Sequence, residues 1–323
     1  MAVLALLVLV AVGVSLALAR ARRTEAFRIA PVSESAAAAL RGANGASRMR
    51  ALAAITASAV AFAFFFALNE VRPDAFGLPL LLAPGAAAIV GLTVLGAIPP
   101  ARMNTVTLSP RRSASLAPRR PWSFGPPWAY LIPLTAAVSA AIFTTLAGMS
   151  STVADDGTYR AIRVSLGDAT STSTPYPGWY YGVPLLIMTA LLTAATLFAL
   201  ARIASAPAPA DEALTEADRI LRIASTRVVM KVSSGALFAY FGGALFFAGQ
   251  ATRNAATFLT GTSATVVQPE GVVGTVEVVA GTGGLILGAV LLCLAAIDAV
   301  RAPVVAVIPR DGSTAGTGAG HAA

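Results

Sequence analysis

The sequence predicts an all-α membrane protein, a bundle of seven transmembrane helices with a small extracytoplasmic β element. Three observations carry that prediction. Of the 323 residues, 56% are hydrophobic and only 12% are charged, and the mean hydropathy is +0.75. A soluble domain carries about 25% charged residues, so most of this surface has no use for water. Seven apolar runs each approach the length of about 20 residues that a helix needs to cross a bilayer core of about 30 Å. Between the runs, the basic residues alternate from one side to the other.

The runs are 2–19, 51–68, 78–98, 129–149, 183–204, 234–249 and 278–297. Each is continuously apolar. A membrane barrel instead needs alternating strands of about ten residues, so helices are expected throughout. The first run, MAVLALLVLV onward, has no basic stretch before it; Arg20, Arg22 and Arg23 follow it. A cleaved signal peptide begins with a positive region. The first run is therefore expected to be a retained span with its N-terminus outside. The other six form three in-out-in hairpins, and residues 1–304 make up one transmembrane helical domain.

Basic residues set the orientation. There are 22 Arg and one Lys, Lys231. Segments 20–50, 99–127, 202–232 and 298–323 hold 19 of them. Segments 69–77, 150–182 and 250–277 hold only Arg72, Arg160, Arg163 and Arg253. The expected location is the plasma membrane, as a bacterial inner-membrane protein with a cytoplasmic C-terminus. The Arg- and Ala-rich composition is what suggests a high-GC bacterial source.

The links carry their own expectations. Ser33 to Leu40 reads as a short helix capped by Ser33. The Pro- and Arg-rich stretch SPRRSASLAPRRPW, within 99–127, predicts no regular structure. Residues 211–231 predict an amphipathic cytoplasmic helix. Thr215 and Asp218 match a capping box, acids lie early and bases late, and Leu214, Ala217, Leu221, Ala224 and Val228 share one face. Tyr159 to Leu166 reads as a strand. ATVVQPEGVVGTVEVV, residues 264–279, reads as a β-hairpin turning at Gln268–Gly271, joined with the Tyr159 strand in one outer sheet. The tail, 305–323, is low in complexity and expected to be disordered. Trp122, Trp128, Trp179, Tyr180 and Tyr181 suit interfacial anchors.

Several chemistries lack their residues. The one cysteine, Cys293, excludes an intramolecular disulfide or a four-cysteine zinc site, and the one histidine, His321, lies in the tail. No run has an ionisable residue near its centre, which argues against a proton-coupled pump. Glu70 and Asp298 lie at run ends, Asp298 beside Arg301. There is no Walker A motif and no G-x-S-x-G elbow. No catalytic, cofactor-binding or metal-ligating residue is singled out, no cofactor is expected, and Asp155, Asp156, Asp168, Glu270 and Glu277 occur in no diagnostic spacing. Small residues recur as Gly281, Gly284 and Gly288 in the seventh run, as Gly235, Ala239 and Gly243 in the sixth, and as Ala136 and Ala140 in the fourth, which allows close helix packing. Pro84 and Pro133 are candidates for helix bends.

These features favour a non-catalytic multipass protein, a scaffold or accessory subunit of a membrane complex. Its partners are the lipid bilayer and proteins docking on helix 211–231 or on outer loops 150–182 and 250–277; nucleic acid is not one of them. The alternative is a permease, or the membrane subunit of a transporter for a neutral or apolar solute, powered by a separate ATPase.

Overall fold

The computed structural model describes residues 28–32, 34–99, 120–209, 214–260, 263–300 and 306–309. Six helices among them are long and apolar enough to cross a membrane. They are α1 (Glu34–Val71), α2 (Leu78–Ala97), α3 (Pro127–Ser150), α4 (Trp179–Ser205), α5 (Thr215–Ala256) and α6 (Glu270–Val300). The first apolar run, most of the Pro- and Arg-rich stretch and His321 lie outside the described residues.

Two helices run far past their apolar segments. At about 1.5 Å per residue, the 38 residues of α1 and the 42 of α5 extend well beyond a bilayer core. Of the short helix expected at 33–40, residues 34–40 are the first part of α1, and Ser33 lies outside the described residues. Of the amphipathic helix expected at 211–231, residues 215–231 are the first part of α5 and run into its apolar part without a break, and residues 211–213 lie outside the described residues. Pro84, Pro133 and Pro184 all lie inside continuous helices.

Helix α5 is the centre of the bundle and packs against α6, α2, α3 and α4. Leu192, Leu237, Tyr240, Ala244 and Met188 form the core with Leu81 and Leu92. Helix α1 lies outermost, against α2 and the flank of α6, with Val60 and Phe64 more than 60% exposed. Such side chains are stable facing lipid and unfavourable facing water.

The helices share two ends. At one, the turn after α1 holds Phe76 at φ 48 and Gly77 at φ 81, and strands β2 (Thr152–Val153), β3 (Tyr159–Leu166) and β4 (Ala169–Ser173) form an antiparallel sheet. Gly167, at φ 59, makes the two-residue turn that sets Leu166 opposite Ala169, where a positive φ suits the strand twist. The expected Tyr159 strand is therefore present. At the other end, four bases reach across between helices, and we call this the basic end.

The second expected hairpin lies elsewhere. Strands β5 (Thr257–Thr260) and β6 (Ser263–Val266) pair with each other as a separate two-stranded sheet, and residues 270–279 are helix. Gln268 and Pro269, just before α6, cap its first turn: the Pro269 carbonyl accepts the Val272 and Val273 amides at 3.1 and 3.0 Å, and Gln268 Oε1 accepts Val272 N at 3.2 Å. The Val-rich run then stays helical because an apolar segment in lipid must satisfy its own backbone, which outweighs β-propensity. A parallel pair also joins β1 (Arg28–Val32) to β7 (Ala306–Pro309); the four residues of β7 belong to the tail 305–323, expected to be disordered, whose other residues lie outside the described ones.

Candidate functional site

Two features stand out: a set of buried and half-buried bases that cap helix ends or bridge helices, and an apolar groove.

Each α-helix leaves its last four carbonyls without an intrahelical partner, and in an apolar layer those acceptors need donors from elsewhere. At the basic end, side chains from neighbouring helices supply them. Arg50, on α1, donates from Nε to Leu95 O at 2.7 Å, and its Nη2 donates to the same oxygen. Arg202, on α4, donates from Nε to Gly96 O at 3.0 Å. Both thus cap α2. Arg222, on α5, caps α4: Nη1 donates to Ile203 O at 2.7 Å, and Nη2 to Ala206 O and Pro207 O at 3.0 and 3.1 Å. Its Nε reaches Asp218 Oδ2 at 2.7 Å, and its guanidinium lies 5.4 Å from the Phe124 ring. Lys231 of α5 donates to Asp298 of α6. The sequence had set Asp298 beside Arg301, which lies outside the described residues.

The sequence singled out no site residue and read these arginines as markers of topology. Arg222 had a local signal, since Asp218 precedes it by four, the spacing of an intrahelical ion pair. Arg50 and Arg202 had none, because their acceptors are carbonyls 45 and 106 residues away.

The sheet end is tied by polar contacts too. Arg160 lies 3.7 Å from the Phe76 ring centre and donates to Asp156 at 3.0 Å, and Tyr181 donates its hydroxyl to Phe76 O at 2.8 Å. These contacts hold Phe76 in a left-handed conformation that non-glycine residues rarely adopt. Hydrogen bonds from Thr158, then from Arg160, keep the Asp156 carboxyl below its ordinary range, and burial pushes the Tyr176 phenol up. Tyr176 shares a 2.8 Å hydrogen bond with Ser150. Of the expected anchors, Trp122 and Trp128 are exposed, and Trp179 is packed against Gly148. The acids Asp155, Asp156, Asp168, Glu270 and Glu277 are not gathered into one cluster, and no group of three metal-ligating side chains occurs among the described residues.

The groove, of about 420 Å³, lies between the α1–α2 hairpin and the α5–α6 hairpin. Ala51, Ala54, Ser58, Ala88, Gly91, Ala289 and Ala296 are among its lining residues, and Leu285 and Ala299 mark its extent along α6. That stretch of α6 is about 21 Å at 1.5 Å per residue. The lining is apolar save for one hydroxyl, Ser58: half of it is alanine or glycine, and the rest is mostly Leu, Ile and Val, with Phe62 and Pro84.

Comparison of the chain with protein-family models, with curated proteins and with solved structures finds no match.

Proposed function

We propose that this chain is a non-catalytic scaffold or accessory subunit of a membrane complex, and that its groove receives a transmembrane helix of a partner protein. The observation that carries this reading is the lining. The alanines that make up much of it let a second helix backbone approach closely, as small-residue helix interfaces require. A site for a small solute usually adds a few converging polar groups, and this one has Ser58 alone. Two pairs of hydroxyls between α4 and α5 have local work: Thr196 donates to Ser233 at 3.0 Å, and Thr189 shares a 2.8 Å hydrogen bond with Tyr240, which ties α4 to α5.

The reading includes an orientation. The basic end faces the cytoplasm of a bacterial cell by the positive-inside tendency, and the sheets face outward. The first run would then enter from outside as a seventh span.

The competing permease reading draws on the same groove, which reaches Pro84 near the middle of the bundle. Its other motive, bends at Pro84 and Pro133 that would open a pathway, is weakened by the continuity of α2 and α3 through those prolines. Photo-crosslinking separates the two. A probe at Ala289 is expected to form an adduct with one membrane protein, and a probe at Leu134, on the exposed face of α3, is not. Filling the groove with Ala88→Phe is expected to abolish the adduct. Adducts with lipid only, or only with residues 2–19 of the same chain, would overturn the partner reading.

A further inference from the structure

The four bases at the basic end are not equivalent. Arg222 and Lys231 each have a carboxylate, Asp218 and Asp298. Arg50 and Arg202 have no carboxylate within ion-pair distance among the described residues. Yet Arg50 is only 7% exposed, and Arg202 is partly buried.

Their positions bring the two charges together. Arg50 bonds Leu95 O and Arg202 bonds Gly96 O, and these are consecutive carbonyls in the last turn of α2. The helix C-terminus offers only about half a negative charge. Two guanidiniums therefore leave more than one net positive charge at the edge of an apolar layer. An uncompensated buried charge is unfavourable, and an anion would relieve it.

Donors remain for such an anion. A guanidinium has five N–H groups. Arg50 spends Nε and Nη2 on Leu95 O, leaving Nη1; Arg202 spends Nε, leaving both terminal nitrogens. The planar fork of arginine matches the oxygen spacing of phosphate. The 20 residues of α2 span about 30 Å, close to one bilayer core, so its C-terminus lies at the depth of lipid headgroups. We infer that Arg50 and Arg202 form an anion site for the phosphate of an anionic phospholipid headgroup, built on the capped end of α2.

The test uses the full chain purified in a neutral detergent, with thermal stability read against added phosphatidylglycerol, phosphatidylcholine or inorganic phosphate. Phosphatidylglycerol is expected to stabilise the protein at concentrations at which phosphatidylcholine does not. Arg202→Gln is expected to weaken its half-effect concentration about tenfold, the scale of one charge-assisted contact. Arg163→Gln, on the sheet at the opposite end, is expected to leave it unchanged. Arg50→Gln should act as Arg202→Gln does; should it fail to fold, Arg202→Gln still decides the matter. Stabilisation by inorganic phosphate that needs both arginines supports the same phosphate chemistry with a free anion as its source. Equal effects of the two lipids, or a phosphatidylglycerol effect that survives Arg202→Gln, would overturn the site.

Discussion

Gly281→Ala is expected to disrupt the α5–α6 hairpin, although it adds one methyl group. A Cβ at Gly281 would lie 2.4 Å from Phe246 N, 2.7 Å from Gly242 O and 2.8 Å from Phe246 Cα. All three are backbone atoms of the neighbouring helix, so no side chain can rotate away and the helices must part. The same contact recurs at two further levels. A Cβ at Gly288 would lie 2.6 Å from Ala239 N and 2.7 Å from Gly235 O, and one at Gly274 would lie 2.9 Å from Gly249 O. The glycines at these contacts are 235, 242 and 249 in α5 and 274, 281 and 288 in α6. Each set repeats every seven residues, which keeps one face on an antiparallel neighbour in a left-handed coil. Overpacking typically costs about 1–3 kcal/mol, and a rigid backbone clash belongs at or above the top of that range. Gly281→Leu should be worse still. Gly283, two residues on, has no atom within 4 Å of an added Cβ, and Gly283→Ala is expected to change stability by less than about 0.5 kcal/mol. Thermal unfolding of the three variants in one detergent checks the order.

Arg222→Met is the second large effect expected. It removes the donors to Ile203, Ala206 and Pro207 carbonyls and leaves Asp218 without its partner. At 5% exposure, water does not readily replace them. Breaking a buried ion pair by deleting one partner costs about 3–5 kcal/mol. Arg222→Lys keeps the charge but has no planar fork to span the carbonyls, and it should fall between Met and wild type. Adding Asp218→Leu to Arg222→Met should recover part of the loss, since the stranded carboxylate goes. A double-mutant cycle measures that coupling; strictly additive losses would show that the pair does not act as a unit.

Much of the fold was legible because lipid imposes simple rules. Apolar length located the six described spans, and basic residues located the end at which α1 and α5 begin. What the sequence hid came from long-range packing. The apolar runs expected at 234–249 and 278–297 stop short of α5 and α6, because Thr252 and Glu277 are polar yet helical, 3.4 Å apart across the hairpin. With those bounds Gly274 fell outside a span, so the seven-residue repeat of glycines was missed and only shorter spacings were noted, of Gly281, Gly284 and Gly288 in α6 and of Gly235, Ala239 and Gly243 in α5. The α5 residues in fact divide: Gly235 and Ala239 meet α6, whereas Gly243 faces Leu81 of α2. The β-hairpin expected at 264–279 failed for a related reason. Val272, Val273, Val276, Val278 and Val279 favour strands in water, and helix in lipid. The groove and the capped end of α2 depend on which hairpins sit side by side, and local spacing does not encode that.

The account rests on six helices crossing a bilayer with the basic end on the cytoplasmic side. Cysteine accessibility in intact cells tests it most directly. With Cys293→Ala as background, a membrane-impermeant maleimide should label Asp168→Cys, in the β3–β4 turn, and should reach Arg219→Cys, near the start of α5, only after the cells are opened. Labelling of Arg219→Cys in intact cells, with Asp168→Cys protected, would contradict the account.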